Sequence, residues 1–185
     1  MNQRELISKL KQGNGSAFEQ AIAQWQDLVY NTALGLVQET TEAEDITQEV
    51  FIQLYQSATG FREEASLSTW LYRVTINKSL DSIRRNRTRK RLGLIGKLVG
   101  LEAYEEPGTF HHPGVQLEQK ENAARLFEAI RLLPDQQRVA FTLQKLEGLS
   151  MQEIAEVMQK SPDSVESLLK RARQQLKKEL TGTTD

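Results

Sequence analysis

A chain of 185 residues, 38% hydrophobic and with 24 Lys and Arg against 25 Asp and Glu, is long enough to bury a core as one domain or as two small ones. It has no cysteine, which excludes a disulfide framework and a thiolate metal site, and its greasiest stretch, LGLIGKLVGL, is interrupted by Lys97 and falls short of the ~20 apolar residues that span a bilayer. The opening MNQRELISKLKQG lacks the apolar core of a signal peptide, so the expectation is a soluble, cytoplasmic protein without direct membrane insertion.

Along the chain, helical periodicity dominates and no convincing strand pattern occurs. Phe18, Ile22, Trp25, Val29 and Leu36 step at helical intervals, and Ile46, Val50 and Leu54 do so in the next segment. This predicts an N-terminal helical bundle. The net charge of -1 conceals a segregation: residues 1–56 carry three basic and eight acidic side chains, whereas residues 70–91 carry eight basic and one acidic. One acidic and one basic surface suit a chain that touches a protein partner and nucleic acid together. In the acidic part, Glu42, Asp45 and Glu49 fall on one helix face, where like charges cost a few tenths of a kcal/mol per pair, so a positively charged partner would relieve them. A solvated acidic face explains the same spacing. A divalent metal site does not follow, because one helix face rarely supplies enough oxygen ligands.

The predicted helix over 68–85 has two apolar faces, Tyr72, Ile76, Leu80 and Ile83 on one, Leu71 and Val74 on the other. Between them runs the stripe Trp70, Arg73, Asn77, Asp81 and Arg84. Bases stack on aromatic faces and guanidinium neutralises phosphate, so the stripe suits unstacked bases; the plainer reading is a core-edge tryptophan ringed by snorkelling arginines. The pattern fails from Leu92 to about Leu117, where glycines, prolines and the pair His111 and His112 predict a flexible linker. Such a linker leaves the flanking domains unfixed relative to each other. The histidines have no Cys or His companions and read as incidental.

A helix resumes with Ala123, Leu126, Phe127, Ile130 and Leu133, and the last fifty residues carry their own punctuation. Gly148 is placed to close a helix in a left-handed conformation, Ser150 with Glu153 forms a capping box, and Ser161 with Pro162 supplies an N-cap and first-turn proline. Two closely spaced helices followed by a basic one predict a DNA-binding helix-turn-helix. In its last helix Val165, Leu168, Leu169, Ala172 and Leu176 share the buried side. Asp163, Ser164, Glu166, Ser167, Lys170, Arg171, Arg173 and Gln174 are left to meet base edges and phosphates. A solvated amphipathic helix is the bland alternative. The whole is an all-α chain of two small helical domains, expected over 1–91 and 119–185 with the linker over 92–118.

The chain resembles the sigma-70 family of bacterial transcription initiation factors, in its small two-domain extracytoplasmic function (ECF) form. DITQEVF at 45–51 is similar to the region 2.2 motif that docks on the β′ clamp helices of RNA polymerase. FREEASLSTWLYRVTINKSLDSIRR is similar to regions 2.3 and 2.4, which melt and read the -10 element, and LLPDQQRVAF through KKEL to region 4, which reads the -35 element. The resemblance implies polymerase contacts at Asp45, Gln48, Glu49, Ile52 and Gln53. It implies a base-capturing loop at 61–67, with Phe61, Arg62, Ser66 and Leu67, and a melting edge at Trp70, Arg73, Asn77, Lys78, Arg84 and Arg85. It further implies -35 contacts at Asp163, Ser164, Glu166, Ser167, Lys170, Arg171 and Arg173, with core polymerase (β′ clamp helices and β flap), promoter DNA and an anti-sigma factor as partners. Where many members have Gly-Thr-Val-Lys-Ser-Arg, residues 163–168 read DSVESL, so Glu166 accepts hydrogen bonds where a lysine would meet phosphate, and the -35 preference departs from that of better-known relatives. No catalytic, cofactor or metal site is expected, since the sequence holds no P-loop, triad or metal constellation. The competing readings are a dimeric helix-turn-helix regulator of duplex DNA, which leaves the Trp70 stripe unexplained, and, more weakly, a nuclease using the acidic cluster.

Overall fold

A computed structural model describes residues 3–60, 65–98 and 120–182. Every regular element among them is helical: α1 (Gln3–Lys11), α2 (Gly15–Val37), α3 (Thr40–Ser57), a 3-10 turn (Ala58–Gly60), α4 (Leu67–Leu98), α5 (Lys120–Leu132), α6 (Asp135–Lys145), α7 (Met151–Met158) and α8 (Pro162–Thr181). Helix α4 runs past the expected linker start at 92, through Gly93 and Gly96, because a helical glycine costs only ~1 kcal/mol and does not forbid the conformation. Residues 99–119, with His111 and His112, lie outside the described residues.

Side-chain caps set the boundaries. Asn14 Oδ1 accepts from the Ala17 amide at 3.1 Å to open α2, and the Glu39 carboxylate accepts from the Thr41 and Glu42 amides to open α3. Between them Gln38 stops α2 in the left-handed region (φ 58), a conformation costly for a non-glycine residue. Its side chain helps hold it there, with Nε2 donating to the Phe127 carbonyl of α5 at 2.9 Å.

The apolar periodicity sorts into three clusters. Leu6, Leu10, Phe18, Trp25, Val29, Ile46, Val50 and Leu54 join Leu67, Leu71 and Val74 of α4 in the N-terminal core. Phe127, Ile130, Leu133 and Phe141 close on Ala172 and Leu176 in the C-terminal domain. The third cluster spans both domains: Leu36, Tyr72, Ile76 and Leu80 pack with Val139, Leu143, Ile154, Val157, Val165 and Leu169. The two apolar faces of α4 therefore enter two different cores. Burying an aliphatic side chain is worth roughly 1.5–3 kcal/mol relative to exposure, so this junction is an apolar interface and not a polar touch. In this structure the two domains meet in that shared cluster.

The junction is close. A Cβ added at Gly35 of α2 would lie 2.8 Å from Leu146 Cδ1 and 2.9 Å from Thr142 Cγ2, so only glycine lets α6 approach this near.

Candidate nucleic-acid interface

On α3, Asp45, Gln48, Glu49 and Ile52 all face solvent and Gln53 is half-buried, while Ala43, Ile46, Val50 and Leu54 on the opposite side are in the core. Ile52 is 56% exposed and Tyr55 63%, two large side chains standing out from an otherwise polar, acidic face. The acidic charge is also partly relieved from within. Lys78 Nζ of α4 sits 2.9 Å from Glu49 Oε2, and the Ser82 hydroxyl donates to Glu42.

The α4 stripe divides. Ser66 caps the helix, its hydroxyl accepting from the Thr69 amide, and Leu67 is buried; Phe61 and Arg62 lie outside the described residues. Trp70 is half-buried and packs against the N-terminal core. Arg73 turns toward the helix-turn-helix: its Nη2 donates to the Glu156 carbonyl at 2.7 Å and its Nε to that of Val157 at 3.3 Å. Those carbonyls belong to the last turn of α7, where the dipole favours a cation; that of Glu156 also accepts from the Gln159 amide. Thr69 Oγ1 adds a bond to Glu156 Oε1 at 3.3 Å. Asn77 is exposed on the rim of the cleft between α4 and α7, and Arg84 and Arg85 are exposed. Arg84 pairs with Asp81 at 3.0 Å, and both Arg84 (4.0 Å) and Arg87 (3.3 Å) approach Asp135 at the start of α6.

The helix-turn-helix is built as its punctuation requires. Gly148 has φ +69, Ser150 and Glu153 form a reciprocal capping box, and Ser161 caps α8 with Pro162 in its first turn. Val165, Leu169, Ala172 and Leu176 are buried, and Asp163, Ser164, Glu166, Ser167, Lys170, Arg171 and Arg173 are all exposed on the other side. Three of these are held from within the domain. The Ser164 amide and hydroxyl bond to Ser161, Arg171 Nε donates to the Ser167 carbonyl, and Arg173 Nη2 donates to Gln144 Oε1 at 2.8 Å.

Gly35, Asp135, Arg138 and Glu147 also shape the site and do not stand out in the sequence. Only Gly35 left a signal, as a lone glycine inside a helical pattern. Glu147, in the α6–α7 turn, reaches Tyr72 of α4, whose hydroxyl donates to Glu147 Oε2 at 3.4 Å. Burial pushes the Glu147 carboxyl up to about 7, with the Tyr72 and Thr32 hydroxyls pulling the other way; the Tyr72 hydroxyl is itself raised by burial and by the neighbouring carboxylate. The folded chain thus binds more protons than the unfolded one between about 4.5 and 7. Stability is expected to be highest below that window, to fall as pH rises through it and to level off above it. In urea titrations across that range Glu147→Gln should flatten the slope; an unchanged slope would remove Glu147 as its source.

Residues 21–89 match the sigma-70 region 2 model and residues 123–176 the sigma-70 region 4 model. The chain is 30% identical over 184 residues to RNA polymerase sigma-H factor of Pseudomonas aeruginosa, covering 96% of this chain and 93% of that one. It is 29% identical over 181 residues to the ECF RNA polymerase sigma factor SigW of Bacillus subtilis, covering 96% of each. The fold is similar to that of CnrH in complex with the cytosolic domain of CnrY, with a TM-score of 0.69 at 21% identity over 98% of this chain and 99% of that one. It is likewise similar to the sigma factor RpoE in complex with the anti-sigma factor NepR from Bartonella quintana, at 0.65 and 21% over 91% and 98%. A two-domain helical protein with a helix-turn-helix at its C-terminal end is the class the fold defines. Within it, the chain belongs to the sigma-70 family of RNA polymerase sigma factors, in the ECF group. No helix among the described residues is long and apolar enough to cross a membrane.

Proposed function

We propose that this sigma factor docks core RNA polymerase through the exposed face of α3, reads and helps open the -10 element with the α4 stripe and the loop before it, and reads the -35 element with α8. It acts in the cytoplasm, where the polymerase is, and serves as an initiation factor with no covalent chemistry of its own. An anti-sigma factor is its expected inhibitor, by analogy with the complex of RpoE with NepR. The observation that carries the reading is the α3 face, where Asp45, Gln48, Glu49 and Ile52 stand together in solvent while the helix's other side is buried. An apolar residue 56% exposed among acidic neighbours suits a basic protein surface with an apolar centre. A dimeric helix-turn-helix regulator needs no such face and does not account for the region 2 match.

Glu49→Lys tests this. Its side chain is about half exposed, and its ion pair with Lys78 is a surface pair worth ~0–1 kcal/mol, so the fold should survive. Affinity for core polymerase, read by competition against the unmodified chain, should fall about tenfold or more as a charge is reversed at the interface. Equal affinity of the two chains would remove α3 from the polymerase contact.

A further inference from the structure

The exposed side of α8 divides into a centre and two flanks. At ~100° per residue Asp163, Glu166, Ser167, Lys170 and Gln174 form one stripe along the helix, and Arg171 and Arg173 fall about 80° to either side of it. Both arginines are held from within: Arg171 Nε donates to the Ser167 carbonyl at 3.2 Å, and Arg173 Nη2 to Gln144 Oε1 of α6 at 2.8 Å. Each keeps further N–H groups for phosphate oxygens, and a helix lying in a major groove has a phosphate backbone on either side. The stripe differs. Among the described residues none of its five side chains takes a hydrogen bond or an ion pair, and Glu166 stays apart from Lys170 although the i,i+4 spacing allows a pair.

The stripe holds two carboxylates, and they differ in origin. Asp163 lies in the first turn, where a negative charge complements the helix dipole, so the start of the helix accounts for it. Glu166 lies beyond the cap but still within the first two turns of α8, the end of a recognition helix that meets base edges. A carboxylate there is repelled by the phosphates of any duplex unless a base donates to it. In the major groove only cytosine N4 and adenine N6 donate, and adenine sets its N6 beside the acceptor N7, which an acceptor-only carboxylate cannot use. We propose that Glu166 is the specificity-determining residue of α8 at one base pair of the -35 element, accepting from a cytosine amino group, while Arg171 and Arg173 straddle the groove on phosphates. This rests on the reading of α8 as the -35 reader. The carboxylate selects by rejection as well as attraction: opposite guanine or thymine its oxygens meet other acceptors, so those sites carry the repulsion without the bond.

The test offers holoenzyme, assembled from core and the full chain, a pool of duplex fragments of one promoter that it transcribes, randomised at each -35 position, and sequences the bound fraction. The unmodified chain should favour cytosine about tenfold over the other bases at one position of one strand, the discrimination of a single well-made base contact. Glu166 is exposed, so its substitution should leave the fold intact. Glu166→Ala should erase that preference and keep the preferences at every other position. Glu166→Gln, whose amide matches adenine N6 and N7, should move the preference at the same position to adenine. A carboxylate that is merely solvated is repelled by every duplex alike, so a uniform gain over all four bases in Glu166→Ala overturns the proposal. A profile that neither variant alters does so too. In both cases a -35 profile that Lys170→Ala and Arg171→Ala still weaken keeps α8 as the reader, whereas a holoenzyme indifferent to every -35 position sinks the reading of α8 beneath the proposal.

Discussion

Trp70→Ala is expected to leave binding of polymerase to a duplex -35 site unchanged and to cut permanganate reactivity of melted -10 thymines about tenfold or more. The asymmetry follows from where the residue sits. Trp70 heads the α4 stripe in the N-terminal domain, whereas Lys170 and Arg171 lie on the exposed side of α8, so alanine at those two should weaken duplex binding and lower its salt slope. Base–aromatic stacking is worth ~1–3 kcal/mol per base, and opening a duplex costs a few kcal/mol per unstacked step, so one lost stacking platform is enough to disfavour the open complex. Trp70 is also half-buried against the N-terminal core, and its truncation will cost some stability. A pre-opened bubble template separates the effects. It removes the unstacking cost beforehand and should partly rescue the variant, whereas equal loss on duplex and bubble with normal melting temperature would return Trp70 to a core-edge role.

The largest effect on stability is expected at Arg138. It is 1% exposed, and its Nη2 donates to the carbonyls of Arg131 at 2.7 Å and Leu133 at 3.1 Å, tying the end of α5 to α6. Burial and the neighbouring Arg87 charge push its pKa down, so the ion is held there at a cost. Losing it still destabilises, because the carbonyls of Arg131 and Leu133 would lose their partner and an unpaired buried acceptor costs ~1–3 kcal/mol. Arg138→Ala should lower the unfolding free energy by about 3 kcal/mol in urea titration. Arg138→Met keeps the packing of the stem and relieves the buried charge, so it should cost less than alanine. Equal losses would mean that the lost carbonyl bonds carry the effect and that packing of the stem adds nothing to it.

Arg138 also marks where sequence reasoning ends. A charged residue beside Gln136 and Gln137 in an amphipathic helix reads as solvated, and nothing local says that the end of the preceding helix will wrap over it. The signals that were legible are local ones. The Ser150–Glu153 box, the left-handed Gly148 and the Ser161–Pro162 start all depend on residues a few positions apart, and all are present. The two apolar faces of α4 were equally legible, but their destinations were not: Leu71 and Val74 enter the N-terminal core, while Tyr72, Ile76 and Leu80 wait for a second domain some sixty residues away. The same holds for the candidate site. The composition of the stripe could be read directly, yet that Arg73 faces α7 and Lys78 faces Glu49 depends on docking that no periodicity encodes. Glycines at 93 and 96 read as linker and lie within α4, since a propensity of ~1 kcal/mol is a weak stop against a continuing helix.

The central claim is that α3, α4 and α8 act together to bring polymerase to a promoter and open it. Run-off transcription with purified core polymerase, across fragments of the source genome, tests it most directly. Adding the chain should yield discrete transcripts from a subset of fragments that share two sequence elements upstream of their start sites, and Glu49→Lys should reduce them in step with its weaker binding to core. Transcripts identical with and without the chain, despite stable binding to core, would contradict it.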